Sequence, residues 1–217
     1  MTKVLVIYTT TMGSTRKMAQ AVADGARSVT NTAVVLLEAA EAMKDERALE
    51  QLKNETRRAD AILMGTPMRH RSADARIKKY IEDVIEQLWL MDEMVGKVGG
   101  VFSVGGGYGN TGAGCEIAQL GMLAAMAGAG MLLVSLPKTT PGAEVAGSHW
   151  GPHGRSGGLG MEPIGITDEM ITCGFHHGAN VARVAFALNG QDLFARGNVA
   201  PSAEVLKMFA NTQPTKE

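Results

Sequence analysis

Cysteine and an excess of charge of either sign are scarce in this chain, and each scarcity excludes a class of protein. Two cysteines in 217 residues, Cys115 and Cys173, do not form a disulfide framework, and we interpret both as reduced, buried thiols. Lys and Arg number 21 against 22 Asp and Glu, so no basic excess indicates binding to nucleic acid or to an anionic membrane. This balance also differs from the strongly acidic charge typical of a small electron shuttle.

Long apolar runs are absent as well. Gly or a charged residue interrupts each hydrophobic stretch well short of a membrane span, and the segment after Met1 lacks the regions of a signal peptide. We therefore expect a cytoplasmic protein without an integral membrane segment. The composition that remains, with 45% hydrophobic residues, is typical of an ordinary globular protein, and the length suits one domain.

Five continuous apolar segments alternate with helical patterns. Continuous apolarity is typical of parallel strands that are covered on both faces, and the alternation predicts an α/β protein with a doubly wound parallel sheet. The predicted strands are 3–8, 33–38, 61–65, 98–104 and 131–136, and the predicted helices are 15–28, 47–57, 75–89, 115–127 and 168–188.

We assign residues 1–190 to this domain and residues 191–217 to a C-terminal extension with one helical candidate, 202–209. Within the domain, residues 139–167 form an insert that is rich in Gly, Pro and His. A loop of this length in a compact domain is usually functional or part of an interface.

The segment that follows the first predicted strand has the composition of an anion site. Residues 9–15 carry five hydroxyl groups and one glycine at a strand-to-helix turn, where backbone N–H groups converge and the helix N-terminus adds partial positive charge. Neither the dinucleotide fingerprint nor the P-loop is present, because Gly13 is the only glycine of the turn. A hydroxyl-rich loop without lysine fits a phosphate monoester better than a pyrophosphate. The alternative is that Ser14 or Thr15 only caps the helix.

This segment resembles the FMN phosphate motif of flavodoxins, in which a strand that ends in an aromatic residue is followed by spaced hydroxyl residues, Gly, Thr and Ala. Tyr8, Gly13, Thr15 and Ala19 carry the resemblance. It implies a flavodoxin-like, doubly wound, five-stranded parallel sheet with helices on both faces, and FMN as the cofactor. Ligands of such sheets bind beyond the carboxyl ends of the strands, which adds the loops after the third and fourth strands to the site.

Those two loops, together with Trp89, resemble the WrbA type of NAD(P)H:quinone oxidoreductase. In that family the first loop holds the FMN phosphate and the other two flank the isoalloxazine ring. On the substrate side, a family tryptophan corresponds to Trp89 and a family tyrosine corresponds to Met12, so the resemblance assigns both residues to the substrate. The residues that the resemblance assigns to the cofactor are Thr10, Thr11, Met12, Gly13, Ser14, Thr15, Pro67, Met68, Arg69, His70, Ser103, Val104, Gly105, Gly106, Gly107, Tyr108, Gly109 and Asn110.

The family resemblance implies an FMN-dependent enzyme that transfers two electrons from NADH or NADPH to a quinone-like acceptor, in a homotetramer or at least a homodimer. Positive charge in the run from Arg69 to Arg71 would favour two-electron chemistry by stabilising the anionic reduced flavin. We expect Arg69 to face inward and Arg71 to be more exposed.

The alternative function is a flavodoxin-like electron carrier or FMN-binding protein without turnover. The insert and the near-neutral charge favour the enzyme. We assign no catalytic side chain, because the chemistry belongs to the cofactor. We also predict no metal site, because His149 and His153 lie in a Gly/Pro loop without a carboxylate or cysteine at ligand spacing.

Overall fold

A parallel sheet lies between two layers of helices in the computed structural model, which describes residues 1–106, 112–195 and 200–211. The strands are β1 (Thr2–Tyr8), β2 (Thr32–Glu38), β3 (Ala61–Pro67), β4 (Val98–Gly105), β5 (Leu132–Leu133) and β6 (His153–Arg155). The main path runs β2-β1-β3-β4-β5, and β6 pairs with β4 in parallel. This is the flavodoxin-like strand order, so the predicted fold class is confirmed.

The helices that connect these strands begin and end close to the predicted residues, and the long helix near the C-terminus has the predicted bounds. A π-helical turn, Ile81–Ile85, joins two short α-helices where the sequence predicts one continuous helix. The α-helices are α1 (Ser14–Arg27), α2 (Ala39–Ala42), α3 (Glu46–Arg58), α4 (Ala75–Tyr80), α5 (Glu86–Trp89), α6 (Cys115–Gly128), α7 (Ala143–Ala146), α8 (Asp168–Leu188) and α9 (Ala203–Asn211). Among the described residues, no helix combines the length and the apolarity needed to cross a membrane.

Buried side chains fill both faces of the sheet. Alternate residues of β1 belong to opposite layers, with Val6 packed in the layer of α1 and α8 and Leu5 in the layer of α3 to α6. Two buried faces explain why the strand reads as a continuous apolar run. Helices α1 and α8 pack so closely that a Cβ at Gly178 would lie only 2.0 Å from the carbonyl oxygen of Val22.

Two short strands share the outer edge of β4. Strand β5 pairs with Val98 and Gly99, and β6 pairs with Ser103 to Gly105 after the insert returns to the sheet. The predicted fifth strand, 131–136, was therefore too long, and β6 was not predicted. The chain leaves β4 after Val134, whose N–H still bonds the Gly99 carbonyl at 2.9 Å, and the Leu136 N–H bonds the carbonyl of His149. The short sequence His-Gly-Arg of β6 has no apolar run that would indicate a strand. The division of the chain at residue 190 stays a prediction.

Candidate functional site

The loops after β1, β3 and β4 meet at the carboxyl edge of the sheet and enclose a cleft of about 500 Å³. The segment 156–165, which follows β6, closes its outer side. From the predicted cofactor residues, the cleft lining includes Thr10, Thr11, Met12, Ser14, Thr15, Pro67, Met68, Arg69, Val104, Gly105 and Gly106. The topology therefore brings most of the predicted residues together, although their contact with FMN stays a prediction.

The loop after β1 presents the N-terminus of α1 to this cleft. Gly13 precedes the helix in a left-handed conformation with φ 87°, and no side chain caps the helix. The Thr10 hydroxyl instead accepts a hydrogen bond from the Gly13 N–H at 3.0 Å, which shapes the turn. The interpretation that Ser14 or Thr15 only caps the helix is therefore wrong. The N–H groups of the first turn remain available to an anion.

Charge around the cleft favours an anionic ligand. Lys17, in the first turns of α1, and Arg69, after β3, both line the cleft. Over the described part of the lining there is no Asp, Glu, His or Cys. A phosphate at the helix N-terminus would thus meet donors and two cations without an opposing carboxylate. The sequence interpretation missed Lys17, although its place three residues after Ser14 is a usable signal.

An ion pair between the buried Asp74 and the half-buried Arg76 holds the first loop against the second. Asp74 caps α4 and accepts bonds from Arg76 Nε at 2.7 Å and Nη2 at 2.8 Å, and Arg76 Nη1 reaches the carbonyl of Thr10 at 3.2 Å. The Arg76 guanidinium holds the pKa of the Asp74 carboxyl below its usual range, against the opposing effect of burial. The Asp74 N–H in turn bonds the Thr66 hydroxyl at 2.8 Å. Asp74 and Arg76 therefore position both loops, a role that the sequence interpretation did not assign.

The loop after β3 makes a tight turn. Arg69 and Ser72 exchange two backbone hydrogen bonds of 2.9 and 3.1 Å, while His70 and Arg71 adopt φ values of 48° and 66°. Left-handed backbone at two successive non-glycine residues is uncommon and is concentrated at functional sites. The turn places Arg69 on the cleft and Arg71 on an adjoining cavity, while the exposed His70 lies outside the cleft lining.

The end of β4 approaches the cleft through its backbone. Met68 N–H bonds the carbonyl of Val104 at 2.8 Å, and a Cβ at Gly105 would lie 2.8 Å from the Met68 side chain. Glycine is therefore required where the second and third loops meet. Of the same predicted loop, Gly107, Tyr108, Gly109 and Asn110 lie outside the described residues.

Ser103 was predicted to contact the cofactor, but it is not among the residues that line the cleft. Its hydroxyl is buried and lies 2.9 Å from His153 Nδ1 and 2.8 Å from Gln119 Nε2. Side chains alternate across a strand, so Ser103 faces the layer of α6 while Val104 faces the layer of α1. The outer wall of the cleft is formed instead by the missed segment 156–165, whose Ser156 N–H bonds the Gly105 carbonyl at 2.9 Å.

The two predicted substrate residues lie far apart. Met12 is 83% exposed at the cleft, whereas Trp89, 45% exposed, ends α5 just before the chain enters β4. The run from Asp74 to Trp89 descends antiparallel to the strands and spans about 22 Å at 1.5 Å per residue. Trp89 therefore lies at the opposite edge of the sheet and cannot reach the cleft of its own chain.

Comparisons with known proteins agree with this geometry. The model of a family described as NADPH-dependent FMN reductase matches residues 2–137. An NAD(P)H dehydrogenase (quinone) of Cupriavidus metallidurans is 31% identical over 207 residues, which cover 88% of this chain and all of that protein. A flavodoxin of Aquifex aeolicus is 36% identical over 133 residues, or 61% of this chain and 64% of that protein. The structure of a WrbA-like flavodoxin from Agrobacterium tumefaciens is similar with a TM-score of 0.65 at 23% identity, over 86% of this chain and 99% of that one.

Proposed function

We propose that this chain, which belongs to the NADPH-dependent FMN reductase family, is a WrbA-type, FMN-dependent enzyme that transfers two electrons from NAD(P)H to a quinone-like acceptor. The observation that carries this proposal is the cleft at the carboxyl edge, where an uncapped helix N-terminus meets hydroxyls and two cations. Bound FMN supplies the hydride and electron chemistry, and the protein holds it in place.

The residues of the cleft fit FMN in two parts. The turn from Thr10 to Thr15 and Lys17 would bind the phosphate through N–H groups, hydroxyls and charge. Pro67 and Met68 offer apolar contact to a flat ring, and the glycine backbone after β4 permits close approach. Arg69 adds a positive charge, and its Nε forms an ion pair with Asp74 Oδ2 at 3.8 Å that positions the side chain.

The cleft offers the acceptor little chemistry of its own. Its described lining holds no carboxyl, imidazole or thiol, and its one amine, Lys17, lies beside the predicted phosphate site, so we assign no side chain of that lining as the acid or base for a quinone. The exposed side chains of Met12, Met161 and Ile164 would instead exclude water from the ring and give an aromatic acceptor an apolar surface. This arrangement suits a range of quinone-like molecules rather than one tightly recognised acceptor.

The test separates an enzyme from a flavodoxin-like electron carrier. We expect purified protein to contain FMN and not FAD, identified by chromatography of the released cofactor against standards. We also expect steady oxidation of NADH or NADPH that depends on added benzoquinone. An FMN-loaded protein that gives no acceptor-dependent turnover with either nucleotide would contradict the enzyme and favour the carrier.

We further propose that the protein is a homotetramer or homodimer, and we keep the prediction of a cytoplasmic location. Support comes from Trp89, which can serve a cleft only in another copy, and from the 83% exposed Leu159 beside the cleft wall. Multi-angle light scattering at micromolar concentration should give two or four times the 22.9 kDa of one chain. A monomer alone under these conditions would refute the assembly.

A further inference from the structure

A second cavity of about 720 Å³, here called the side cavity, adjoins the flavin cleft. The two spaces share a wall, because Arg155 lines the side cavity while the next residue, Ser156, lines the cleft. The turn after β3 divides them in the same way, with Arg71 on the side cavity and Arg69 on the cleft. The side cavity therefore adjoins the cleft at Arg71 and Arg155.

Cations and apolar groups line the side cavity together. Arg71, Lys138 and Arg155 contribute positive charge, and Ile117 and Leu136 contribute apolar surface. Two carboxylates, those of Glu116 and Glu144, also line it, and both residues are exposed. Arg71 and Lys138 are exposed too, so these charges balance at the rim, and the partly buried Arg155 leaves the interior with net positive charge.

A chain of hydrogen bonds fixes the tautomer of buried His153, which also lines the side cavity. Gln119 donates its amide N–H to the Pro152 carbonyl at 3.1 Å and to the Ser103 hydroxyl oxygen at 2.8 Å. We assign the Ser103 hydroxyl proton to His153 Nδ1, at 2.9 Å, because no other acceptor for it is found in the described structure. The neutral imidazole consequently carries its proton on Nε2.

Two donors at the side cavity are left over. His153 is 3% exposed, and its Nε2 has no hydrogen-bond partner among the described residues. Arg155 lies two residues further along β6, on the same face of the strand, and its buried Nε also lacks a partner there. Arg155 commits one terminal nitrogen to the Val145 carbonyl. Buried donors without acceptors are costly, so an anionic ligand would stabilise both.

Cys115 does not turn this cavity into a thiol active site. Its side chain lines the cavity beside His153, a pairing that can activate a cysteine. Burial, helped by Glu116, raises the pKa of the Cys115 thiol. Burial and then the Arg155 charge lower the pKa of His153 to about 4, so the imidazole stays neutral at pH 7. Both groups are therefore uncharged, and the cavity suits binding rather than nucleophilic chemistry.

We propose that the side cavity binds an oxyanion group of a co-substrate, a phosphate of the nicotinamide nucleotide or a carboxylate of an acidic acceptor, with Arg155, Lys138 and His153 as donors. The identity of the co-substrate rests on the proposed function, whereas anion binding itself does not. The lining of the cleft accounts for the flavin, so the charged end of a co-substrate would bind outside that lining, and the side cavity adjoins it.

The test is calorimetric titration of the FMN-loaded protein at low salt with two probes. Adenosine 2′,5′-bisphosphate represents the phosphates of the nicotinamide nucleotide, and isophthalate represents the carboxylate of an acidic acceptor. Lys138→Ala should weaken binding roughly tenfold, the loss expected for one charge-assisted hydrogen bond, while Glu116→Gln should strengthen it severalfold. Lys44→Ala, which removes the same charge from an exposed site outside the cavity lining, is the matched control. Arg155→Met should weaken binding further than Lys138→Ala does. If Arg155→Met does not fold, the affinities of Lys138→Ala and Glu116→Gln alone test the proposal.

The probes also distinguish the source of the anion. Binding of the nucleotide probe alone indicates the phosphate, binding of isophthalate alone indicates an acidic acceptor, and binding of both supports the shared chemistry. Failure of both probes to bind at millimolar concentration, or equal affinities in Lys138→Ala and Lys44→Ala, would overturn the proposal. FMN content and benzoquinone turnover, measured on the same samples, report separately on the proposed function.

Discussion

Replacement of Thr15 by Glu is expected to raise the dissociation constant for FMN by about three orders of magnitude. Thr15 lies in the first turn of α1 and lines the cleft where the phosphate would bind. Two like charges in contact repel by about 4 kcal/mol at an effective dielectric near 20, and about 1.4 kcal/mol corresponds to a factor of ten in affinity. Titration of the apoprotein with FMN, followed by quenching of flavin fluorescence, measures the change.

A second variant separates lost binding from lost folding. Thr15 is buried, so a charge there also lowers the stability of the folded protein. Thr11, in contrast, is exposed and lines the same cleft. Thr11→Glu should therefore weaken FMN binding while the circular dichroism spectrum and the melting temperature stay unchanged. Thr30→Glu, in an exposed turn before β2 at the other edge of the sheet, is the control. If Thr11→Glu binds FMN as tightly as Thr30→Glu, the phosphate does not lie at this loop.

Acid is expected to destabilise the fold through a buried histidine. His177 of α8 is 0% exposed, and burial lowers its pKa to about 4, opposed weakly by the backbone of Val101. Between about pH 6.5 and pH 4 the unfolded chain binds a proton there that the folded chain does not, so the free energy of unfolding falls as pH falls. A shift of this size corresponds to roughly 3 kcal/mol, a large part of the stability of a typical domain.

His177→Leu should remove this part of the acid sensitivity. Urea unfolding near pH 6.5 and near pH 4 should show a smaller loss of unfolding free energy in His177→Leu than in the wild-type protein, since leucine takes up no proton. A residual loss is expected, because His153 is also buried with a pKa of about 4. His176→Leu, at the half-buried neighbouring position, is the control and should keep most of the loss. An equal fall in the wild-type protein and His177→Leu would show that His177 does not govern the acid response.

The sequence alone determined the features that depend on neighbours along the chain. The apolar runs of β1 and β3 predict buried parallel strands because each residue of such a strand meets one helical layer or the other. The hydroxyl-rich turn before α1 predicts an anion site because a strand, a glycine and a helix start suffice to build one. The fold class, the predicted phosphate loop and the predicted site at the carboxyl edge all follow from these local signals.

Only the tertiary structure decided how distant segments complete the site. No local pattern shows that β6 covers the end of β4, because its pairing depends on the space that β5 leaves free. Which face of the sheet Ser103 occupies depends on the register of β4. The hydrogen bond of Arg76 to the Thr10 carbonyl joins residues that are 66 positions apart. The position of Trp89 at the opposite edge follows from the descent of its helix along the sheet. These features arise from packing between elements, which sequence periodicity does not encode.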